Sequence, residues 1–335
     1  MKHLTIVVPS YNTEIYIDTC LPTMIDDRYI QDIEILLIND GSTDRTKEML
    51  EKYEKQYPES IRVINKENGG HGSVINRGIQ EATGRYFRVI DGDDFVNTDN
   101  LYRLVNKLKS IDSDIVFTSL YEEILTKNKN FLRFSYSNVE EGKVYLFDDI
   151  CLRIGCIPLH AVNYRTSLLK NNNIRVQEKC CYEDKEYILY PIPFVKTIAY
   201  YNFPVYHYRI GVPGQSVSTE KVLKNKKMLE LITQNLCVFY ENTLSNQDIS
   251  DVKRKYLSSA ICEVIKNMYG MCLKFPLGLE SLKMMKNATA QCCEWSPNLY
   301  NESNIGIVKI LRKNNFFVYF VAYVSFKIAR MIRGF

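Results

Sequence analysis

The first 118 residues predict an α/β fold, a mostly parallel sheet with helices on both faces, and two observations carry that expectation. Short apolar runs alternate with segments of helical periodicity. The apolar runs are near-continuous, as in strands covered on both faces. Helical periodicity returns after about residue 220, adding a C-terminal helical extension.

The elements follow in order. Leu4–Val8 reads as a buried strand ended by Pro9, and Thr13–Ile25 has helical spacing. Ile33–Ile38 is a second strand, ended by Asn39-Asp40-Gly41. Ser42-Thr43-Asp44 can cap the next helix, which runs to about Lys55. Ile61–Ile64 is a third strand, Gly72–Thr83 a helix and Tyr86–Ile90 a fourth strand. Asn97-Thr98-Asp99 caps a helix to Ser110, and Asp114–Thr118 is a fifth strand. Residues 120–144 are irregular, with aromatic alternation suggesting a β-ribbon. Val162–Arg165, Ile198–Tyr201 and Val205–Tyr208 resemble short strands, and a helix starting at Glu183 stops at Pro191. Lys221–Asn242, Asp248–Met271 and Pro276–Ala290 are helical by periodicity. The expected domains are 1–220, divided at 118, and 221–335.

Composition narrows the class. With 46% hydrophobic and 24% charged residues, the 335-residue chain is globular rather than disordered. A formal charge of +4 is too small to argue for nucleic acid. Ten cysteines lack CxxC spacing and nearby histidines, so reduced, mostly buried thiols are expected rather than zinc ligands. Leu4–Val8 is too short for a signal peptide, and no apolar run reaches transmembrane length.

The chemistry concentrates in loops after strands. Asp91-Gly92-Asp93-Asp94 follows the fourth strand, with Gly92 allowing a tight turn. Carboxylates this close raise one another's pKa unless a cation sits among them. Hard cations such as Mg²⁺ or Mn²⁺ take oxygen ligands and bridge to phosphates, so this turn reads as a metal–diphosphate site. Pro9-Ser10-Tyr11-Asn12, Asn39-Asp40-Gly41-Ser42 and Glu67-Asn68-Gly69-Gly70-His71-Gly72 follow the first three strands. In a parallel sheet all four loops share one edge. Tyr11 can stack on a base, Asp40 can hydrogen-bond it, and the Gly-rich loop opens a helix whose N–H groups favour anions. Arg77, further along that helix, can reach phosphate or sugar.

Val7-Val8-Pro9-Ser10-Tyr11-Asn12, Ile38–Asp44, Asn68–Gly78 and Val89–Asp94 together resemble family 2 glycosyltransferases with the GT-A fold, over roughly the first 220 residues. Family members often carry small residues where His71, Val74 and Ile75 stand. The resemblance implies a UDP-sugar donor held by Pro9, Tyr11, Asn12, Asp40, Asn68, Gly69, Arg77, Asp91 and Gly92, with Asp93 as principal metal ligand. It also implies a Glu-Asp pair, supplied by Glu183 and Asp184. Asp184 would be the base that takes the acceptor hydroxyl's proton in an inverting transfer, and Glu183 would shape the acceptor site. His207-Tyr208-Arg209 and Gln215-Ser216 are similar to the segment that closes over donor diphosphate. That places His207 at the metal and Arg209 and Ser216 at the donor. His3 and His160 read as structural. A nucleotidyltransferase and a catalytically silent sugar-nucleotide-binding or scaffold subunit are the alternatives.

At the C-terminus, Lys309, Arg312, Lys313, Lys327, Arg330 and Arg333 flank an aromatic run, Phe316–Phe326. On a continuous helix these six cations fall within roughly 160° of arc. That pattern predicts an interfacial helix on anionic lipid, with a terminal helix packed on its own domain or an oligomer contact as the alternatives. The expected setting is the cytoplasmic face of a cell membrane, with a glycan or lipid-linked saccharide as acceptor. The acceptors expected there belong to cell-surface polysaccharide: capsule, exopolysaccharide or teichoic acid.

Overall fold

A computed structural model describes residues 1–125, 129–211, 224–304, 306–312, 319–321, 323–325 and 327–328. The chain divides into Met1–Pro213 and Gly214–Phe335; the sequence placed the division near 220.

The first unit is built on a ten-stranded sheet. Its parallel half consists of β3 (Ile61–Lys66), β2 (Ile33–Asp40), β1 (Leu4–Ser10) and β4 (Tyr86–Val89), in that order. Every residue of β2 is buried, which is why Ile35–Ile38 is apolar without alternation. The helices between these strands are α1 (Glu14–Cys20), α2 (Thr46–Gln56) and α3 (His71–Glu81). A 3₁₀ turn, Leu21–Met24, replaces the end of the expected first helix, and Pro22 sits within it. Asp44 accepts from the Thr46 N–H (3.0 Å) at the start of α2. Asn97 caps α4 (Thr98–Ser110) by accepting from the Asn100 N–H.

Beyond β4 the sheet is mixed. β9 (Val162–Arg165) inserts antiparallel between β4 and β6 (Ile115–Ile124), and β6 pairs parallel with β10 (Thr197–Ile210). β5 (Phe95–Val96), β7 (Lys129–Arg133) and β8 (Val144–Leu146) add antiparallel pairs. Two expected strands are therefore one, β10, whose register shifts between Tyr201 and Tyr206. Asn202-Phe203-Pro204, the gap between those two expected strands, is an irregularity inside one strand. Two short helices, α5 (Phe147–Ile154) and α6 (Thr166–Asn171), precede α7 (Asp184–Leu189).

The second unit is helical: α8 (Lys226–Leu244), α9 (Asp251–Cys272), α10 (Leu279–Trp295), α11 (Pro297–Glu302) and α12 (Gly306–Arg312). No described helix is long and apolar enough to cross a membrane.

Candidate active site

The loops after β1, β2, β3 and β4 meet at one sheet edge. Asn12 adopts a left-handed φ of 52°, which asparagine tolerates. Its Oδ1 accepts from the Thr43 N–H (2.8 Å), and its own N–H donates to Ser42 Oγ (3.1 Å), so the first loop is stapled to the second. Tyr11 stands half exposed above them. Asp40 is buried and turned inward. It accepts from Lys66 Nζ (2.5 Å), Gly69 N–H (2.9 Å) and Gly70 N–H (2.8 Å). Asn68 donates to the Asp40 carbonyl (2.9 Å). Asp40 and Asn68 therefore shape the Gly-rich loop directly. Arg77 is half exposed and pairs with Glu81 on its own helix (2.8 Å).

The acidic turn is tied down from several sides. Gly92 is not in the left-handed region. Its requirement is close approach, because a Cβ there would come within 2.7 Å of the Pro9 carbonyl oxygen. The Asp91 N–H donates to Tyr206 Oη (3.2 Å), and Asp91 Oδ1 lies 3.1 Å from His71 Nε2. Asp94 accepts from Tyr206 O–H (2.8 Å) and from the Arg209 N–H (2.9 Å), both on β10.

The electrostatics follow from these contacts. Burial works against the Asp91 charge, but the His71 hydrogen bond and charge outweigh it and hold Asp91 below the usual carboxylate range. Asp93 is raised by burial and then by Asp91. Asp94 is pushed to about 8 by burial and by Asp91. His71 is opposed by burial, yet the hydrogen bonds of Asp91 and Glu183 lift it well above its ordinary value. His160 is lowered, chiefly by burial.

The Glu-Asp pair reaches the same place. Glu183 is the buried residue just before α7, and its Oε1 lies 2.7 Å from His71 Nδ1. Tyr182, immediately before it, has φ 73°, a costly conformation for tyrosine. Asp184, about a third exposed, pairs with Lys185 (2.9 Å).

His207 Nδ1 lies 2.6 Å from Glu123 Oε1, and its ring stacks on Phe95 at 4.7 Å between centroids. Cross-strand register sets His207 opposite Phe95, two residues beyond Asp93. The Arg209 guanidinium lies over Tyr16 and Phe95, and its Nε is 3.8 Å from Asp94. Ser216 and Gln215 lie outside the described residues.

Three site residues were not legible in the sequence. His160, read there as structural, has its Nε2 3.6 Å from Asp91 Oδ2, and Asp91, Asp94 and His160 offer atoms that lie within 4.8 Å of one another. Tyr206 and Glu123 carried no signal, because single polar groups on a strand or ribbon announce no partner. One signal existed for His71: it stands where the resembled family prefers small residues.

An open α/β sheet with four polar loops and a carboxylate–imidazole cluster at one edge has its candidate site where such sheets bind their ligands. Residues 5–161 match the family model Glycosyl transferase family 2, so the first unit carries a domain of that family. It is 39% identical over 120 residues to the uncharacterized glycosyltransferase EpsJ of Bacillus subtilis, covering 36% of this chain and 34% of that protein. It is 29% identical over 213 residues to a teichoic acid poly(glycerol phosphate) polymerase of Staphylococcus epidermidis, covering 62% of this chain and 28% of the polymerase. The chain thus spans about a third of the length of these two relatives. The fold is similar to that of S. aureus TarS residues 1–349 in complex with UDP-GlcNAc, with a TM-score of 0.71 at 20% identity over 98% of this chain and 92% of that one.

Proposed function

We propose that this chain is an inverting glycosyltransferase that moves a sugar from a UDP donor to a hydroxyl of a glycan acceptor, in the synthesis of a cell-surface polymer of the teichoic-acid kind. The observation that carries this reading is the convergence of Asp91 and Glu183 on one imidazole, His71. It brings the carboxylates suited to a donor diphosphate beside the acid pair suited to activating an acceptor. The relatives support the setting: one is a teichoic acid polymerase, and TarS has been crystallised with UDP-GlcNAc and with UDP.

In this reading Tyr11 stacks on the uracil, and Pro9, Asn12, Asp40, Asn68 and Gly69 form the pocket floor. Arg77, Arg209 and Ser216 complete the donor contacts, and Asp91 and Gly92 lie nearest the ribose. A divalent cation, Mn²⁺ or Mg²⁺, suits the acidic turn, where burial and the crowding of carboxylates raise Asp93 and Asp94. Asp93 and His207 would hold it, with the Glu123 carboxylate on Nδ1 orienting the ring as partners of metal-binding histidines do. The cation supplies charge neutralisation for the departing diphosphate. Asp184 takes the proton from the attacking hydroxyl, and Lys185 must yield to it as the acceptor arrives.

The chain also associates with anionic membrane through its C-terminal segment, in this reading. Exposed Phe320, Val321, Val324 and Ile328 support it. Arg312 does not belong to the proposed basic arc. Its guanidinium donates to Tyr269 Oη (3.1 Å), Ser303 Oγ (2.8 Å) and the Tyr300 carbonyl, so it staples the helical unit together. Lys313, Arg330 and Arg333 lie outside the described residues.

The test is UDP release from a panel of UDP-sugars with and without Mn²⁺, using Asp184→Asn as the control. That variant keeps shape but not proton acceptance, so turnover should fall on the order of 10²-fold or more while UDP binding survives. Equal turnover by Asp184→Asn, or tighter binding of GDP than UDP, would overturn the assignment.

A further inference from the structure

Four side chains stand in one row across the sheet edge: Glu183, His71, Asp91 and His160. His71 spans the middle, with Nδ1 2.7 Å from Glu183 Oε1 and Nε2 3.1 Å from Asp91 Oδ1. His160 Nε2 closes the row 3.6 Å from Asp91 Oδ2. The two bridged carboxylates belong to different parts of the site. Asp91 ends the β4 side, where the donor is placed, and Glu183 precedes α7 and neighbours Asp184.

The bridge is held from behind. His71 is the first residue of α3, and Gly72 follows it. A Cβ at Gly72 would lie 2.1 Å from the Gln177 carbonyl oxygen and 3.1 Å from Glu183 Cγ. The first turn of α3 therefore packs flush against the segment leading into Glu183. The Lys179 N–H also donates to the Gly69 carbonyl (2.7 Å), tying that segment to the Gly-rich loop. The backbone that carries His71 is thereby fixed against the segment that leads into Glu183. On the far side, the His160 ring is held edge-on by Tyr206 (4.8 Å) and Tyr208 (4.5 Å). Buried Arg88 donates to the His160 carbonyl.

We propose that His71 is a positioning residue that couples the donor half of the site to the acceptor half, transmitting the placement of Asp91 to Glu183. This rests on the glycosyl-transfer reading and adds to it a route by which a bound donor sets the acceptor-side carboxylate beside Asp184. A merely structural histidine would fill volume; this one has to direct N–H groups at two acceptors. The two roles separate by substitution. Phenylalanine keeps the ring's bulk and loses both donors, whereas glutamine keeps donors and loses the ring.

The experiment combines calorimetry with UDP and Mg²⁺, turnover of the UDP-sugar that the wild type uses best, and ¹³C NMR of the Glu183 carboxyl, assigned by its loss in Glu183→Gln. His71→Phe should keep UDP affinity within about threefold and donor KM nearly unchanged, while kcat falls at least about tenfold. His71→Gln should lie between His71→Phe and wild type. In a Glu183→Gln background the His71→Phe step should cost less than about twofold more, because the two residues act as a unit. UDP–Mg²⁺ should shift the Glu183 signal in the wild type and leave it unmoved in His71→Phe.

A tenfold loss of UDP affinity in His71→Phe would make His71 a donor ligand and overturn the proposal. Turnover of His71→Phe at or above that of His71→Gln would make it packing. If His71→Phe fails to fold, His71→Gln and the wild-type NMR shift decide. A wild type that shows the shift but turns over no UDP-sugar refutes the proposed function alone; turnover without the shift refutes the coupling alone.

Discussion

Asp40 ends one strand of the parallel half of the sheet and Asp91 follows another, yet they are built for opposite ends. Asp40 is enclosed by a lysine ammonium and two backbone N–H groups, all within 2.9 Å. Ser73 Oγ adds a longer contact at 3.5 Å, and the Lys66 cation is fixed opposite the carboxylate. Asp91 is contacted by an imidazole at 3.1 Å, a phenol at 3.4 Å and a second imidazole at 3.6 Å, with two further carboxylates in the same turn. The first pocket is finished by the fold. The second is crowded with like charge and partners whose protonation can change, an arrangement that costs stability and that function retains.

The largest expected effect tests the finished pocket. Asp40→Ala leaves Lys66 with the Glu67 carbonyl and Ser73 Oγ but no carboxylate, and two loop N–H groups without an acceptor. Breaking a buried pair from one side costs about 3–5 kcal/mol, so the urea midpoint should fall sharply. A loss below about 1 kcal/mol would show that water enters and that the pocket is not closed.

The next effect should run the other way. Asp91→Asn removes one of three clustered carboxylates and so relieves repulsion while giving up the negative charge opposite His71. Stability should stay within about 1 kcal/mol of wild type, whereas turnover should fall on the order of 10²-fold. A variant that unfolds but retains activity per folded molecule would reverse the comparison between the two aspartates.

A smaller effect concerns pH. Asp94 sits at about 8, above its unfolded value near 4. A carboxyl raised on folding binds its proton more tightly in the native state. Its favourable contribution is therefore complete below pH 4 and is lost as pH rises toward 8. In chelator-containing buffer, stability should decline between pH 5 and about 8, and Asp94→Asn should flatten that decline. Asparagine can keep both contacts there, accepting from the Arg209 N–H and donating to Tyr206 Oη. An unchanged slope in the variant would assign the decline to another group.

This contrast also marks what the sequence made legible. The parallel half of the sheet was readable because β2 is buried throughout and β1 everywhere but Pro9, and their centres announce themselves by the apolar runs Ile35–Ile38 and Ile6–Val8. The acidic turn and the Glu-Asp pair were readable as motifs. The pairing of β9 between β4 and β6 was not, because four residues carry no register information of their own. The difference between Asp40 and Asp91 was hidden for a similar reason. Both lie at or just past the ends of apolar strands and adjoin glycines, and what separates them is Lys66 in one case and His71, His160 and Tyr206 in the other. Those partners come from four different elements.

The smallest effect distinguishes the glycines of the two pockets. Gly41, beside Asp40, has φ 73°, and a Cβ there would lie 2.9 Å from the Asn68 nitrogen, so conformation and space both exclude a side chain. Gly92 has no such conformational requirement; only the Pro9 carbonyl, 2.7 Å from its hypothetical Cβ, stands in the way. The clash is with backbone, so relieving it shifts the acidic turn away from the first loop at the cost of its packing there. Gly92→Ala should therefore lose about 1–3 kcal/mol, as overpacking substitutions do, and less than Gly41→Ala, which adds a left-handed backbone to its clash. The displacement falls on the turn that carries Asp93, so Mg²⁺-dependent UDP affinity should weaken several-fold in Gly92→Ala and remain closer to wild type, per folded molecule, in Gly41→Ala. Paired urea melts and calorimetric titrations of the two variants measure both quantities. If Gly41→Ala proves the milder in stability and the more damaging to UDP binding, then the Asp40 pocket, and not the acidic turn, is the adjustable part of the site.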